Sequence, residues 1–229
     1  MAPLPTFALS MRPPRGALNR PGLLAAALGL LYLLTSATGA FAHPTVGKPT
    51  MPKLTEKEEE RVRQGKLVLR TQRDENAEGA ALITGVIEID ATAEATWKIL
   101  TNFESIPESS KAVKEVGRYL DRPNSDGSKV VNLRYLVKVA WVSIVYHVHH
   151  DLFPAQHYLH WTLDEAKEND LRQTIGSFSL WPGSSAGKIR FLYITTVDTG
   201  RNIPEWVEEE LTESSLKRYL LYVKKRAEQ

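Results

Sequence analysis

Residues 128–150 read SKVVNLRYLVKVAWVSIVYHVHH, and the alternation within them decides the fold. From Ser128 to Val139, the residues Val131, Leu133, Tyr135, Val137 and Val139 form one apolar face, while Asn132, Arg134 and Lys138 form most of the other. Successive side chains of a strand point to opposite faces, so this pattern marks a sheet with one face buried and one in water. The next strand repeats the pattern. Val142, Ile144, Tyr146, Val148 and His150 fall on its apolar side, with Trp141, Ser143, Val145, His147 and His149 opposite.

Beyond Phe153-Pro154-Ala155, the residues His157, Leu159, Trp161 and Leu163 alternate with Tyr158, His160 and Thr162. Keeping the two apolar sets on one face predicts that His150 pairs with His157, Val148 with Leu159 and Tyr146 with Trp161. The same register sets His147 opposite His160 on the outer face. By the same rule, Phe178 and Leu180 point inward on the following strand, and Ile189, Phe191, Tyr193 and Val197 on the last. Strand signals recur about every ten residues from Val113, separated by Asn124-Ser125-Asp126-Gly127, Asn169-Asp170 and Pro182-Gly183, and links this short imply an antiparallel meander.

Two further strands precede the meander, Lys66–Thr71 and Ala81–Ile89, the latter carrying Ile83, Gly85, Ile87 and Ile89 on one face. Thr92 or Asp90 can cap a helix that holds Trp97, Ile99 and Leu100 and breaks near Asn102, before an Ile106-Pro107 turn. Thr55 opens a capping box with Glu58 and begins a short charged helix, stopped by Gly65 and expected to lie solvated on the surface. The last helix begins at Pro204, whose missing N–H is no loss at a first helical position. Glu205, Glu208, Glu209 and Glu210 occupy its early turns and Lys224, Lys225 and Arg226 its last, matching the helix dipole. Its apolar residues, including Trp206, Val207, Leu211, Leu216, Tyr219, Leu220, Tyr222 and Val223, spread over more than one stripe. Such a helix is expected to be wrapped by its surroundings. The fold class is therefore α+β, a curved antiparallel sheet around a long C-terminal helix.

The first 42 residues read as an address. Arg12, Arg15 and Arg20 precede the apolar run Leu23–Leu34, and a small-residue stretch ends in Ala40-Phe41-Ala42, the layout of a secretory signal cleaved before His43. A bilayer span needs about 20 apolar residues, more than this run supplies. Met11 is an alternative start, and the absence of an adjacent arginine pair favours general export, as to a bacterial periplasm, over the twin-arginine route. Residues 43–54 contain prolines and little periodicity and read as a linker, leaving residues 55–229 as a single domain.

Composition narrows the function. The formal charge is +2, but without the three leader arginines residues 43–229 hold 26 basic residues against 27 acidic. That body lacks the basic footprint of a nucleic-acid binder. With no cysteine there is no disulfide, thiolate metal site or cysteine nucleophile. There is also no P-loop, dinucleotide-binding glycine run or nucleophile elbow. His147, His149 and His160 share the outer face, but no carboxylate is placed as a second shell, and no metal or cofactor is expected.

The inner faces carry Tyr135, Tyr146, Tyr193, Thr174, Thr195, His150 and His157 among their apolar residues. A sealed core would have to satisfy each polar group internally. A partly wet cavity holds them more easily, since ligand pockets are apolar walls with a few placed polar groups. Solid packing of sheet on helix, with the tyrosine hydroxyls sent to the rim, is the alternative. The residues expected to line the cavity are Leu133, Tyr135, Ile144, Tyr146, His150, His157, Leu159, Trp161, Phe178, Phe191 and Tyr193 from the sheet, with Val207 and Leu211 from the helix. Enlarging Leu159 to Phe or Trp should then fill the space at little cost in stability.

Several stretches, in this order, resemble a known family: Val86-Ile87-Glu88-Ile89-Asp90-Ala91, Trp97-Lys98-Ile99-Leu100-Thr101-Asn102-Phe103 with Ile106-Pro107, His160-Trp161-Thr162-Leu163, Gly176-Ser177-Phe178-Ser179-Leu180 and Ile203-Pro204-Glu205-Trp206-Val207. Together they are similar to the START-like (SRPBCC) superfamily, and within it to the polyketide cyclase/dehydrase and coenzyme Q-binding group. Position 178 is Phe where relatives often carry Trp, and position 102 is Asn where they often carry Asp. The resemblance implies the helix-grip fold and a deep cavity between sheet and helix for a lipid, isoprenoid quinone or polyketide-like molecule. It leaves binding or shuttling, with transient membrane contact, open beside cyclase- or dehydratase-like chemistry guided by Tyr135, Tyr146, Tyr193 and His150.

Overall fold

In a computed structural model of the chain, which describes residues 47–73, 80–200, 206 and 209–229, the elements follow in the expected order. The strands are β1 (Val68–Arg73), β2 (Ala80–Ile89), β3 (Val113–Pro123), β4 (Lys129–Val139), β5 (Val142–Phe153), β6 (Tyr158–Leu163), β7 (Gln173–Pro182) and β8 (Ile189–Asp198). They form one eight-stranded sheet in the order β1-β2-β8-β7-β6-β5-β4-β3, with every neighbouring pair antiparallel. Register shifts within β3, between Val113 and Glu115 and between Arg118 and Leu120, bend that edge. The helices are α1 (Glu56–Arg63), α2 (Ala93–Leu100), α3 (Ile106–Ser109) and α4 (Ser215–Ala227). This is the helix-grip arrangement, an open curved sheet with a C-terminal helix on its inner face.

Local signals account for the helix ends. The Thr92 side chain accepts from the backbone N–H of Ala95 at 3.2 Å and caps α2. The Ile106-Pro107 step, expected as a turn, instead opens α3, because proline suits a first helical turn. The Thr55–Glu58 capping box is present, and Gly65 ends α1 at φ +67°.

The core forms where the inner sheet face meets the helices. Ile83, Ile87, Ile89, Leu133 and Phe191 are buried against Leu100, Phe103, Leu216, Leu220 and Val223. Gly85 lets α4 approach, since a Cβ there would lie 2.6 Å from Leu220 Cδ1. In α4 Leu216, Leu220 and Val223 are buried, with Tyr219, Tyr222 and Ala227 partly buried against the same core, while Leu221 is exposed. Pro204 and Val207 lie outside the described residues.

The outer face is less solvated than its alternation implies. Val62 of α1 is fully buried with Val68, Val86 and Leu192, and Met51, Leu54 and Trp181 pack beside them. So α1 is a surface helix, largely in water as expected, that Val62 anchors to the sheet, and residues 47–54 run along the same face. Polar contacts fix this layer. Arg70 Nε donates to Glu58 at 2.9 Å, and Arg190 pairs with Glu59 on one side and with Glu88 Oε2 at 3.4 Å on the other. Burial alone would raise the Glu88 pKa, but hydrogen bonds from Ser184 (2.7 and 2.8 Å) and Arg190 outweigh it and hold the carboxyl below its ordinary value.

Candidate functional site

The β5–β6 hairpin differs from the expected register. His150 pairs with Trp161, Leu152 with Leu159 and Phe153 with Tyr158. The cause lies in the turn. Phe153 stays in the strand, its ring stacked 5.5 Å from Tyr158, and the reversal is made by a tight helical turn at Pro154–Gln156 with His157 left-handed at φ +46°. The shift is an even number of residues, so every side chain keeps its face although its partner changes. The outer histidines are the casualty: His160 stands opposite Asp151, not His147, and its Nε2 lies 3.4 Å from that carboxylate. His149 Nε2 approaches the same Asp151 at 3.3 Å.

On the inner face, a cavity of about 200 Å³ opens between the sheet, α3 and the start of α4. Tyr135, Tyr146, His150, Trp161, Phe178 and Tyr193 line it. Leu133, Ile144, Leu159 and Phe191 share their inward phase but do not reach it. Leu133, Leu159 and Phe191 are fully buried in the main core, and Ile144 packs with Ala112, Val137 and Val139. Inward phase places a residue on the correct face, whereas helix packing decides which part of that face is open. His157, in its turn, meets Trp97 edge-on at 5.9 Å and lies 3.9 Å from Glu94, away from the cavity. Val207 and the Leu211 side chain lie outside the described residues.

The remaining walls come from elements whose pattern gives no such cue. Phe103 and Ile106 reach in from the broken helix, Ser109 and Ser110 from its end, and Thr212, Ser215, Leu216 and Tyr219 from the C-terminal segment. Residues 210–214 there form a π-helical turn, and Ser215 Oγ donates to the Glu210 carbonyl at 2.6 Å. Tyr219 is among the apolar residues read on the last helix, and that membership is the available signal.

Aromatic packing shapes the interior. Tyr135 and Tyr146 stack at 5.0 Å with an interplanar angle of 6°, and Trp161 lies 5.2 Å from Tyr193 and 6.3 Å from Phe178. The indole lies across Gly176, where a Cβ would come within 2.3 Å of its Cζ2, and its Nε1 donates to Thr174 Oγ1 at 3.3 Å. His150 packs against Phe103 at 5.0 Å, and its Nδ1 lies 3.1 Å from the Val131 carbonyl. Burial lowers the pKa of His150 to about 3. The ring is therefore neutral near pH 7, and because a carbonyl only accepts, its proton sits on Nδ1. Burial also raises the pKa of Tyr135, Tyr146, Tyr193 and Tyr219, so all four remain neutral phenols. No Lys, Arg, Asp or Glu is among the described residues that line the cavity. Elsewhere, Trp141 at the β4–β5 turn is 75% exposed and meets the 51% exposed Trp206 edge-on at 5.7 Å.

No family model matches the sequence, and no curated protein matches it. Solved structures do match in fold. A STAR-related lipid transfer protein from Xanthomonas axonopodis aligns with a TM-score of 0.55 at 14% identity, covering 79% of this chain and 98% of that one. The Zhui aromatase/cyclase from Streptomyces sp. R1128 aligns at 0.52 and 16% identity, over 65% of this chain and 94% of that one. A START superfamily protein from Mycobacterium smegmatis gives 0.50 and 20% identity, over 65% and 97%. At these identities the likeness speaks to architecture alone, and it agrees with the strand order and the helix on the inner face: the chain has a START-like, helix-grip fold.

Proposed function

We propose that this protein binds, and in an exported setting shuttles, a hydrophobic small molecule of the lipid, isoprenoid-quinone or polyketide-like kind in the cavity between the sheet and α4. The observation that carries this reading is the interior itself: about 200 Å³ left open inside an otherwise packed core, walled by Phe103, Trp161, Phe178 and Leu216 and edged by uncharged polar groups. Natural cores leave few voids larger than a water molecule, and an apolar cavity of about 150 Å³ already accepts benzene. The lipid-transfer and aromatase/cyclase names among the structural neighbours are compatible with it. A cyclase-like reading that uses His150 as a general base has less support, because a base with a pKa of about 3 takes up little proton near pH 7. Brief membrane contact fits the exposed Trp141–Trp206 pair, since indole rings suit the boundary between lipid and water.

The test separates open space from solid core. Val148 lines the cavity, whereas Leu159 is fully enclosed between its strand neighbours. Val148→Phe should block uptake of naphthalene and change the melting temperature little. Leu159→Phe should cost about 1–3 kcal/mol of stability through overpacking. Naphthalene uptake unaffected by Val148→Phe would defeat the proposal.

A further inference from the structure

The cavity's polar groups carry information about the ligand that its apolar walls do not. Tyr135, Tyr146 and Tyr219 all line it. None of their hydroxyls has a hydrogen-bond partner among the described residues, and none is sealed into the packed interior without one. Each therefore opens on the cavity. Ring geometry places them together: Tyr135 and Tyr146 stack at 5.0 Å, and Tyr219 meets Tyr193 edge-on at 6.4 Å.

Phenols can donate and accept, but a cluster of neutral phenols in an uncharged cavity is best completed by oxygen acceptors. A hydroxyl desolvated by an incoming hydrocarbon and left unbonded is costly, so a plain hydrocarbon fills the space poorly. A carboxylate fits worse for a different reason. Among the described residues no cation lines the cavity to offset its desolvation, and His150 is held neutral.

We infer that the cavity selects an uncharged ligand whose carbonyl or ether oxygens are bound by the hydroxyls of Tyr135, Tyr146 and Tyr219, and that it discriminates against a carboxylate of the same shape. The inference rests on the binding reading above. It assigns these three tyrosines to specificity and leaves Trp161, Phe178 and Phe103 as the nonselective walls.

Three ring-matched probes test it: naphthalene, 2-acetylnaphthalene and 2-naphthoate, measured by equilibrium dialysis at pH 7.5 against the folded protein. The ketone should bind at least about tenfold more tightly than naphthalene, as one or two hydrogen bonds to neutral donors supply. The carboxylate should bind at least tenfold more weakly than the ketone. In the Tyr135→Phe/Tyr146→Phe/Tyr219→Phe variant the ketone's advantage should vanish while naphthalene affinity stays within about twofold. If the triple variant does not fold, Tyr146→Phe and Tyr219→Phe alone should each reduce the ketone's advantage. A ketone advantage that survives these changes, or a carboxylate bound as well as the ketone, overturns the inference and leaves the cavity reading standing. Failure of all three probes to bind the folded wild-type protein overturns the binding reading, and this inference with it.

Discussion

His150 should make the stability of this protein fall on acidification, beginning at a pH above that at which carboxylates titrate. Its ring is 4% exposed, packed on Phe103 and near Trp161, and its pKa falls from an ordinary 6.5 to about 3. Between those two values the unfolded chain binds a proton that the folded chain refuses. Stability from this group is therefore complete above about pH 6.5 and is lost as the pH falls through the window. With about 1.4 kcal/mol per pKa unit, the loss is about 1.4 kcal/mol at pH 5.5 and about 2.7 kcal/mol at pH 4.5. Urea unfolding from pH 7.5 to pH 4.5 measures it directly. His150→Phe keeps a ring against Phe103 and removes the proton site, so the variant should be less stable at pH 7.5, where the Val131 carbonyl loses its partner, but its stability should fall by less on acidification. The difference between the two slopes isolates His150 from the other titrating groups. Parallel slopes for wild type and variant would show that the ring protonates in place, and that the interior around it is wetter than the geometry implies.

Two further outcomes follow from the same structure. Leu220→Ala, at the fully buried centre of the α4 stripe where Gly85 admits the helix, should cost about 2–5 kcal/mol in urea unfolding, and a loss below about 1 kcal/mol would mean that α4 is not the lid of the core. N-terminal sequencing of the protein isolated from its native source should begin at His43, and recovery of an intact Leu23–Leu34 segment from membranes would refute the export reading.

Much of the architecture was legible in the sequence because strand alternation is a local property. The Val131–Val139 and Val142–His150 faces declared themselves, and so did the caps at Thr55 and Thr92, since each depends on residues within a few positions of one another. The inward phase of Tyr135, Tyr146, His150, Trp161, Phe178 and Tyr193 followed from the same period of two, and it survived an incorrect hairpin register because the error was even. Tertiary structure decided the rest. Whether Phe153 extends a strand or enters a turn depends on its stacking with Tyr158 across the hairpin, which no spacing encodes. Where α1 docks through Val62 depends on Leu192 and Val86, contributed by strands far along the chain. Leu159 and Tyr146 look equivalent in sequence, yet one is sealed and the other faces open space. The difference is set by where α3 and α4 cross the sheet, and so by contacts that exist only once distant segments have packed.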